Sequence, residues 1–123
     1  MIDETRKILS RPDLLITATA VRVPVKNCHS ESINVEFEDD IDIYEVKVLL
    51  QNADGIVLTD DIENEIYPLA RKATGHDEVF VGRVRRDYSV RYGLNMWVVA
   101  DNLRKGAASN AVQILEVLLK NSN

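Results

Sequence analysis

The chain has only one cysteine, Cys28, in 123 residues, so no disulfide can form within one copy. A reducing compartment, the cytoplasm, is therefore the expected location. No apolar run approaches the roughly 18 to 20 residues of a membrane span, so no membrane partner is expected. Neither a Walker A motif nor a GxGxxG segment after a strand occurs, and Cys28, His29 and His76 lack metal-ligand spacing. No segment is therefore a self-sufficient nucleotide or metal site.

Basic residues are also in deficit. Fifteen Lys and Arg face twenty Asp and Glu, which gives a net charge of −5 and a pI of about 5.0. This balance argues against a general affinity for nucleic acid. The one basic run, residues 82–87, lies in a strand-like pattern and is interpreted as a solvated strand edge. With 46% apolar residues and five glycines, the composition is that of one ordinary globular domain.

What is present is a mixture of helical and strand periodicities. Asp40 or Asp42 can cap the second helix, and the last two strands form a simple antiparallel hairpin. Residues 61–75 are ambiguous, because helical spacing is interrupted by Pro68. The sum predicts an α+β fold with a mixed, largely antiparallel sheet covered by helices on one side. Helices are predicted over 2–9, 42–53 and 105–120, and strands over 14–25, 32–38, 56–61, 78–87 and 94–101.

Residues 21–31, VRVPVKNCHSE, hold three side chains capable of chemistry. Arg22 could clamp a carboxylate or phosphate, but periodicity alone favours a solvated strand arginine. His29 could act as a general acid and base, but alone it fits an ordinary loop histidine. Neighbours on an extended chain point to opposite faces, so Cys28 and His29 do not easily form a dyad. Cys28 is predicted to be a small filler.

Several separate blocks together resemble aspartate-semialdehyde dehydrogenase. They are VRVPV, His29 followed by SES, ETRKIL (4–9), INVEFE (33–38), VGRVRRD (81–87) and GLNMWVVADNLRKGAASNAVQI (93–114). The resemblance covers roughly residues 1–118 and is weakest at 55–76. It implies a C-terminal fragment with the fold of the C-terminal domain of glyceraldehyde-3-phosphate dehydrogenase-like enzymes, and no Rossmann domain. Residues 1–104 would be part of the substrate-binding and dimerisation domain, and 105–123 a helix that in the family packs on the N-terminal NADP domain.

The resemblance also implies roles for individual residues. The family reduces L-aspartyl 4-phosphate to L-aspartate 4-semialdehyde with NADPH, through a cysteine thioester, for lysine, methionine and threonine synthesis. Arg22 would bind the substrate's α-carboxylate, and His29 would be the general acid and base. Asn102 would bond the nicotinamide amide, and Gly106 would allow close backbone approach. A simpler alternative is that Asp101 and Asn102 only cap the last helix.

The same resemblance sets expectations for activity and partners. The family's Gly-rich NADP loop and nucleophilic cysteine have no counterpart in the sequence, so the chain alone is expected to be inactive. A homodimer is expected, as is an N-terminal half supplied in trans, because apolar residues of the last helix would otherwise lack cover. The competing hypothesis is a non-catalytic dimerisation or interaction module. Retention of Arg22 and His29 favours the enzyme.

Overall fold

The computed structural model describes residues 1–121, so the last two residues of the predicted 105–123 segment lie outside the described residues. Strands and helices alternate irregularly along the chain, as the α+β prediction requires. The elements are α1 (Ile2–Ile8), β1 (His29–Glu36), α2 (Ile43–Asn52), β2 (Ile56–Leu58), α3 (Ala70–Ala73), β3 (Val79–Asp87), β4 (Gly93–Ala100) and α4 (Ala108–Lys120).

The four strands form one sheet in the order β1-β4-β3-β2. Strand β4 pairs antiparallel with both β1 and β3, whereas β2 pairs parallel with β3. The predicted mixed, largely antiparallel sheet is therefore confirmed, as is the β3–β4 hairpin. Helix α2 packs on one face beside β2 and β3, while the single-turn helix α3 contacts β4 from the opposite face.

Alternation along β4 divides the core between the two faces of the sheet. Leu94 and Val98 face α2, where the buried cluster also includes Val81. Trp97 and Val99 face the other way, and Val99 is fully buried there. The sheet is consequently apolar on both faces in its central strands, and the second face has only a short helix over it.

Asp42, rather than Asp40, is the N-cap of helix α2. Its carboxylate accepts from the backbone N–H groups of Tyr44, at 2.6 Å, and Glu45, at 3.3 Å, which is the geometry of a helix N-cap. Asp40 is used differently, because its carboxylate accepts from the Arg86 guanidinium at 2.6 Å. That ion pair ties the loop before α2 to the end of β3.

The predicted strand over 14–25 is wrong, because residues 11–28 have no regular secondary structure. Their β-branched residues fit a strand, but a strand needs a partner, and β4 takes β1 instead. Leu15 is 92% exposed and Val21 74% exposed, so much of this apolar segment is not covered by the described residues. Strand β1 in turn begins at His29, three residues before the predicted start.

Helix α4 presents its apolar side chains to the outside. It runs for 13 residues, and its apolar residues are between 54% and 60% exposed: Val112, Ile114, Leu115, Val117, Leu118 and Leu119. Such a surface is typical of a helix that packs on another body. Within residues 1–121 no helix is both long enough and apolar enough to cross a membrane.

Strand β3 carries a bulge between Gly82 and Arg85, where Arg83 adopts a φ of 56°. A side chain at Gly82 would collide with the backbone carbonyl of Thr59, because a Cβ there would lie 2.1 Å from that oxygen. The chain directly after β2 therefore lies against the backbone of β3 beside the bulge. Only glycine allows that approach.

Candidate functional site

The candidate site is the corner of the sheet where β1 begins and β4 ends. His29, the first residue of β1, pairs with Ala100, the last residue of β4. The residues that flank this pair, Cys28 on one side and Asn102 on the other, are joined by a hydrogen bond. The backbone N–H of Cys28 donates to Asn102 Oδ1 at 3.0 Å. Two residues that lie 74 positions apart in sequence thus fix each other.

Cys28 is a packed residue in a strained conformation. Its side chain is 6% exposed, and its thiol donates to the carbonyl of Ala70 at 3.3 Å. The backbone φ of 79° is rare for a residue with a Cβ, and it persists because the Asn102 bond and the α3 contact hold it. The filler prediction is confirmed. The strained turn also determines how His29, which is exposed, leaves the corner.

Asp101 locks the end of β4 to the loop after α3. It is 3% exposed, and its carboxylate accepts from the backbone N–H of Gly75 at 2.8 Å and of Leu103 at 3.0 Å. These two backbone bonds, with the Arg104 guanidinium nearby, hold the pKa of Asp101 below its ordinary value. The alternative that Asp101 and Asn102 cap α4 is wrong, because that helix begins after Ala107 with no side-chain cap.

The lowered pKa of Asp101 predicts a specific loss of stability in acid. The folded form favours the ionised carboxylate, so its contribution is present above the unfolded pKa of about 4 and is lost as pH falls through the folded pKa. Asp101→Asn keeps the shape but cannot ionise, and one backbone N–H loses its acceptor. We expect urea midpoints of wild type and D101N to differ at pH near 7 and to converge at pH near 2. A constant difference across that range would contradict the assignment.

Asn102 and Gly106 lie in the turn between β4 and α4. The Oδ1 atom of Asn102 is occupied by Cys28, while its Nδ2 atom donates to no partner within residues 1–121. Gly106 has a φ of 77°, and a Cβ there would have nothing within 4 Å. The turn therefore offers an amide donor and open backbone on its outer side.

Arg22 is not brought to this corner. It lies in the irregular segment 11–28, it is exposed, and none of the described residues forms an ion pair with its guanidinium. The structure thus joins His29 to Asn102 through the β1–β4 pairing, and leaves Arg22 and Gly106 outside that contact. No group of three His, Cys, Asp or Glu side chains among residues 1–121 is placed to hold a metal ion.

The mixed four-stranded sheet, with helices packed on it, defines the class of fold as an α+β domain. The family model for the semialdehyde dehydrogenase dimerisation domain matches residues 1–105. The chain belongs to this family, and the resemblance found in the sequence is confirmed.

Individual relatives of known sequence or structure agree with this family assignment. The chain is 52% identical to the aspartate-semialdehyde dehydrogenase of Aquifex aeolicus over 120 residues, which are 98% of this chain and 35% of that protein. It is 50% identical to the enzyme of Prochlorococcus marinus, over 99% of this chain and 36% of that protein. A crystal structure of aspartate-semialdehyde dehydrogenase II of Vibrio cholerae, complexed with ASA, matches with a TM-score of 0.90 at 47% identity, over 98% of this chain and 35% of that one. The chain therefore spans about a third of the length of the relatives it matches, and it corresponds to their C-terminal part.

Proposed function

We propose that this chain supplies the C-terminal part of an aspartate-semialdehyde dehydrogenase that reduces L-aspartyl 4-phosphate to L-aspartate 4-semialdehyde. The observation that carries the proposal is the bond from Cys28 N–H to Asn102 Oδ1. It holds the proposed acid–base residue, His29, and the proposed cofactor contact, Asn102, at one corner of the sheet. The relatives of about 50% identity, which carry this enzyme's name, support the same reading.

His29 is proposed as the general acid and base. It is exposed at the start of a strand whose backbone is fixed by pairing, so its ring is available to a reacting group while its Cα is held. It would accept the proton of the attacking thiol and return it as the tetrahedral adduct breaks down. The thiol itself must come from elsewhere, since Cys28, the single cysteine of the sequence, is buried and bonded to Ala70.

Arg22 is proposed to bind the substrate's α-carboxylate. An exposed guanidinium that none of residues 1–121 pairs with can offer two parallel N–H donors to a carboxylate. Its segment, residues 11–28, is extended and irregular here, and the substrate would draw it toward His29 when the remainder of the enzyme covers the exposed valines. A carboxylate fixed at one end of a four-carbon substrate orients the reacting end.

The residues of the 101–106 turn fit a nicotinamide cofactor, which we propose to be NADP. The Nδ2 group of Asn102 is an unused donor suited to the oxygen of a carboxamide, and Gly106 leaves its backbone open. Bound NADPH would supply the hydride. Within this chain the contribution is limited to holding the nicotinamide end, because the described residues contain no phosphate-binding glycine loop.

Helix α4 and the sheet point to two protein partners. The exposed apolar side of α4 is proposed to pack on the N-terminal cofactor domain, supplied by the same polypeptide or in trans. The sheet is proposed to form a homodimer, as the family description implies. Both interactions are expected in the cytoplasm.

The test is an in-frame fusion of the N-terminal part of the Aquifex aeolicus relative to this chain. We expect the fusion to reduce NADP in the presence of aspartate semialdehyde and phosphate, and the chain alone to show no turnover. The physical reason is that the thiol and most of the cofactor site would be supplied by the fused part.

A folded but inactive fusion would contradict the proposal and favour a non-catalytic dimerisation module. The matched control joins the same N-terminal part to the relative's own C-terminal third at the same junction. The two fusions then differ only in the C-terminal third. Activity in the isolated chain would also overturn the assignment of Cys28 as a structural residue.

A further inference from the structure

Helix α4 begins without a cap from its own segment of the chain. Its N-cap residue, Ala107, makes no side-chain hydrogen bond, and no acidic residue lies in the first turn of the helix. The first N–H groups of a helix have no partner within it, so a helix start is normally stabilised by a side-chain acceptor or a negative charge. For α4 such a charge has to come from another element.

Asp77, in the loop between α3 and β3, supplies that charge. Its carboxylate accepts from the hydroxyl of Ser109, in the first turn of α4, and from the guanidinium of Arg104 at 3.0 Å, in the turn before the helix. The Ser109 hydrogen bond, followed by Arg104, holds the pKa of Asp77 below its ordinary value. The carboxylate is therefore ionised at neutral pH and lies near the positive end of the helix dipole.

The 101–106 turn is held at its β4 end by other contacts. Asp101 accepts from the backbone N–H of Gly75, and Asn102 accepts from that of Cys28. Neither contact involves Asp77, so the β4 end of the turn has its own support. Asn102 is therefore expected to keep its place if the contacts of Asp77 are removed.

Gly106 lies between the two residues that Asp77 contacts. Arg104 is two positions before it, and Ser109 is three positions after it. The φ of Gly106 is 77°, and its backbone is open on the outer side of the turn. Lys105 continues the link, since its ammonium donates to Gln113 of α4 at 3.1 Å. Asp77 thus holds the α4 end of the turn on both sides of the open backbone.

We propose that Asp77 is a positioning residue for the cofactor. Through Arg104 and Ser109 it sets the direction in which α4 leaves the sheet, and it thereby places the Gly106 backbone. This inference rests on the proposed function, in which the turn faces the nicotinamide and α4 packs on the N-terminal domain. The Asp77 and Arg104 side chains are 41% and 44% exposed, so their ion pair adds little to the stability of the fold. Its effect is expected on geometry instead.

The length of α4 magnifies any error in direction at its start. Its 13 residues span about 20 Å, so a tilt of about 10° at the first turn moves the other end by about 3 Å. The exposed apolar side of α4 is the surface proposed to pack on the N-terminal domain, which would carry most of the cofactor site. A displacement of that size would change the separation of the two parts of the site and weaken cofactor binding.

The first test is Asp77→Ala in the fusion with the Aquifex aeolicus N-terminal part. We expect the dissociation constant of NADPH, measured by its fluorescence, to rise about tenfold, and the KM for NADP to rise with it. The kcat should stay within about threefold of wild type, because Asn102 keeps its bond to Cys28. The urea midpoint of the chain alone should shift by no more than about 0.3 M, so a loss of folding would not explain the result.

Hydrogen exchange gives a second readout, which needs no cofactor. In Asp77→Ala the amides of residues 103–115 should exchange at least about threefold faster than in wild type, whereas those of 94–100 should not change. Arg104→Ala should have a similar effect on exchange and on NADPH binding. Because both substitutions break one contact, the double variant should lose less affinity than the product of the two single losses. Losses that multiply fully would contradict a role exerted through Arg104.

Asp40→Ala is the matched control, since it removes one exposed carboxylate from an ion pair with an arginine. Its partner Arg86 lies opposite Leu94, at the start of β4 and so at the far end of that strand from the turn. This variant should bind NADPH, and exchange over 103–115, as wild type does. If the wild-type fusion binds NADPH and D77A binds it equally well, the positioning role is wrong while the proposed function stands. If the wild-type fusion folds but binds no NADPH, the proposed function fails and this inference fails with it.

Discussion

Replacing Asp60 with alanine is expected to lower the free energy of unfolding by about 3 kcal/mol. Its carboxylate accepts from Arg83 N–H at 2.7 Å, from the next backbone N–H at 3.3 Å and from Lys47 Nζ at 2.8 Å. Alanine would leave all three donors without that acceptor. A buried donor that loses its acceptor costs far more than the net value of the bond, because water does not reach it.

Two comparisons test this explanation by urea denaturation. Lys47→Met should cost less than Asp60→Ala, because Lys47 is 31% exposed and Asp60 keeps its two backbone donors. Asp61→Ala removes a neighbouring carboxylate whose hydrogen bonds to Asn64 lie in an exposed turn, and it should cost about 1 kcal/mol or less. Equal losses in D60A and D61A would show that the bulge does not depend on the buried charge.

Local patterns of the sequence predicted the elements whose causes are themselves local. The alternation of apolar and polar residues over 32–38 predicted β1, because Ile33 and Val35 of that strand are half-buried while their neighbours are exposed. The acidic residues before a helical stripe restricted the N-cap to Asp40 or Asp42, because capping involves only the next few residues, and the structure selects Asp42. The block resemblance gave the family, which the family match over residues 1–105 confirms.

The same reasoning failed where a cause lies far along the chain or outside it. Residues 14–25 have strand composition, but a strand also requires an edge to pair with, and composition does not report one. In the sequence, Asp60 looked like an ordinary polar residue at a strand end. The backbone N–H groups that its carboxylate accepts from belong to a bulge more than 20 positions later. Asp101 looked like a helix cap for the same reason, since one of its partners, Gly75, lies 26 positions earlier.

Positive φ values occur at four residues with a Cβ, and they are not visible in the sequence. Cys28 directly precedes the proposed acid–base residue, Arg83 lies at the β3 bulge and Glu65 lies in the turn closed by Asp61 and Ile66. Ser10 is the remaining one, at the end of α1, where a left-handed residue is ordinary.

In the active fusion, His29→Asn is expected to lower kcat by at least about a hundredfold with little change in stability. Asparagine retains polarity and comparable size, so the turn at Cys28 and the pairing with Ala100 should persist. What it lacks is the ability to accept a proton and return it. The loss should therefore appear in the chemical step, as measured by the rate of NADP reduction at saturating substrate.

His76→Asn is the matched control, because His76 is the only other histidine of the chain and is also exposed. It lies against Phe80 by an edge contact rather than at the β1–β4 corner, so its replacement should leave kcat within about twofold of wild type. If H29N and H76N lost activity equally, the loss would be one of folding. If H29N remained fully active while the fusion depended on this chain, the corner would serve only to hold Asn102 toward the cofactor, and the acid–base group would have to be sought in the remainder of the enzyme.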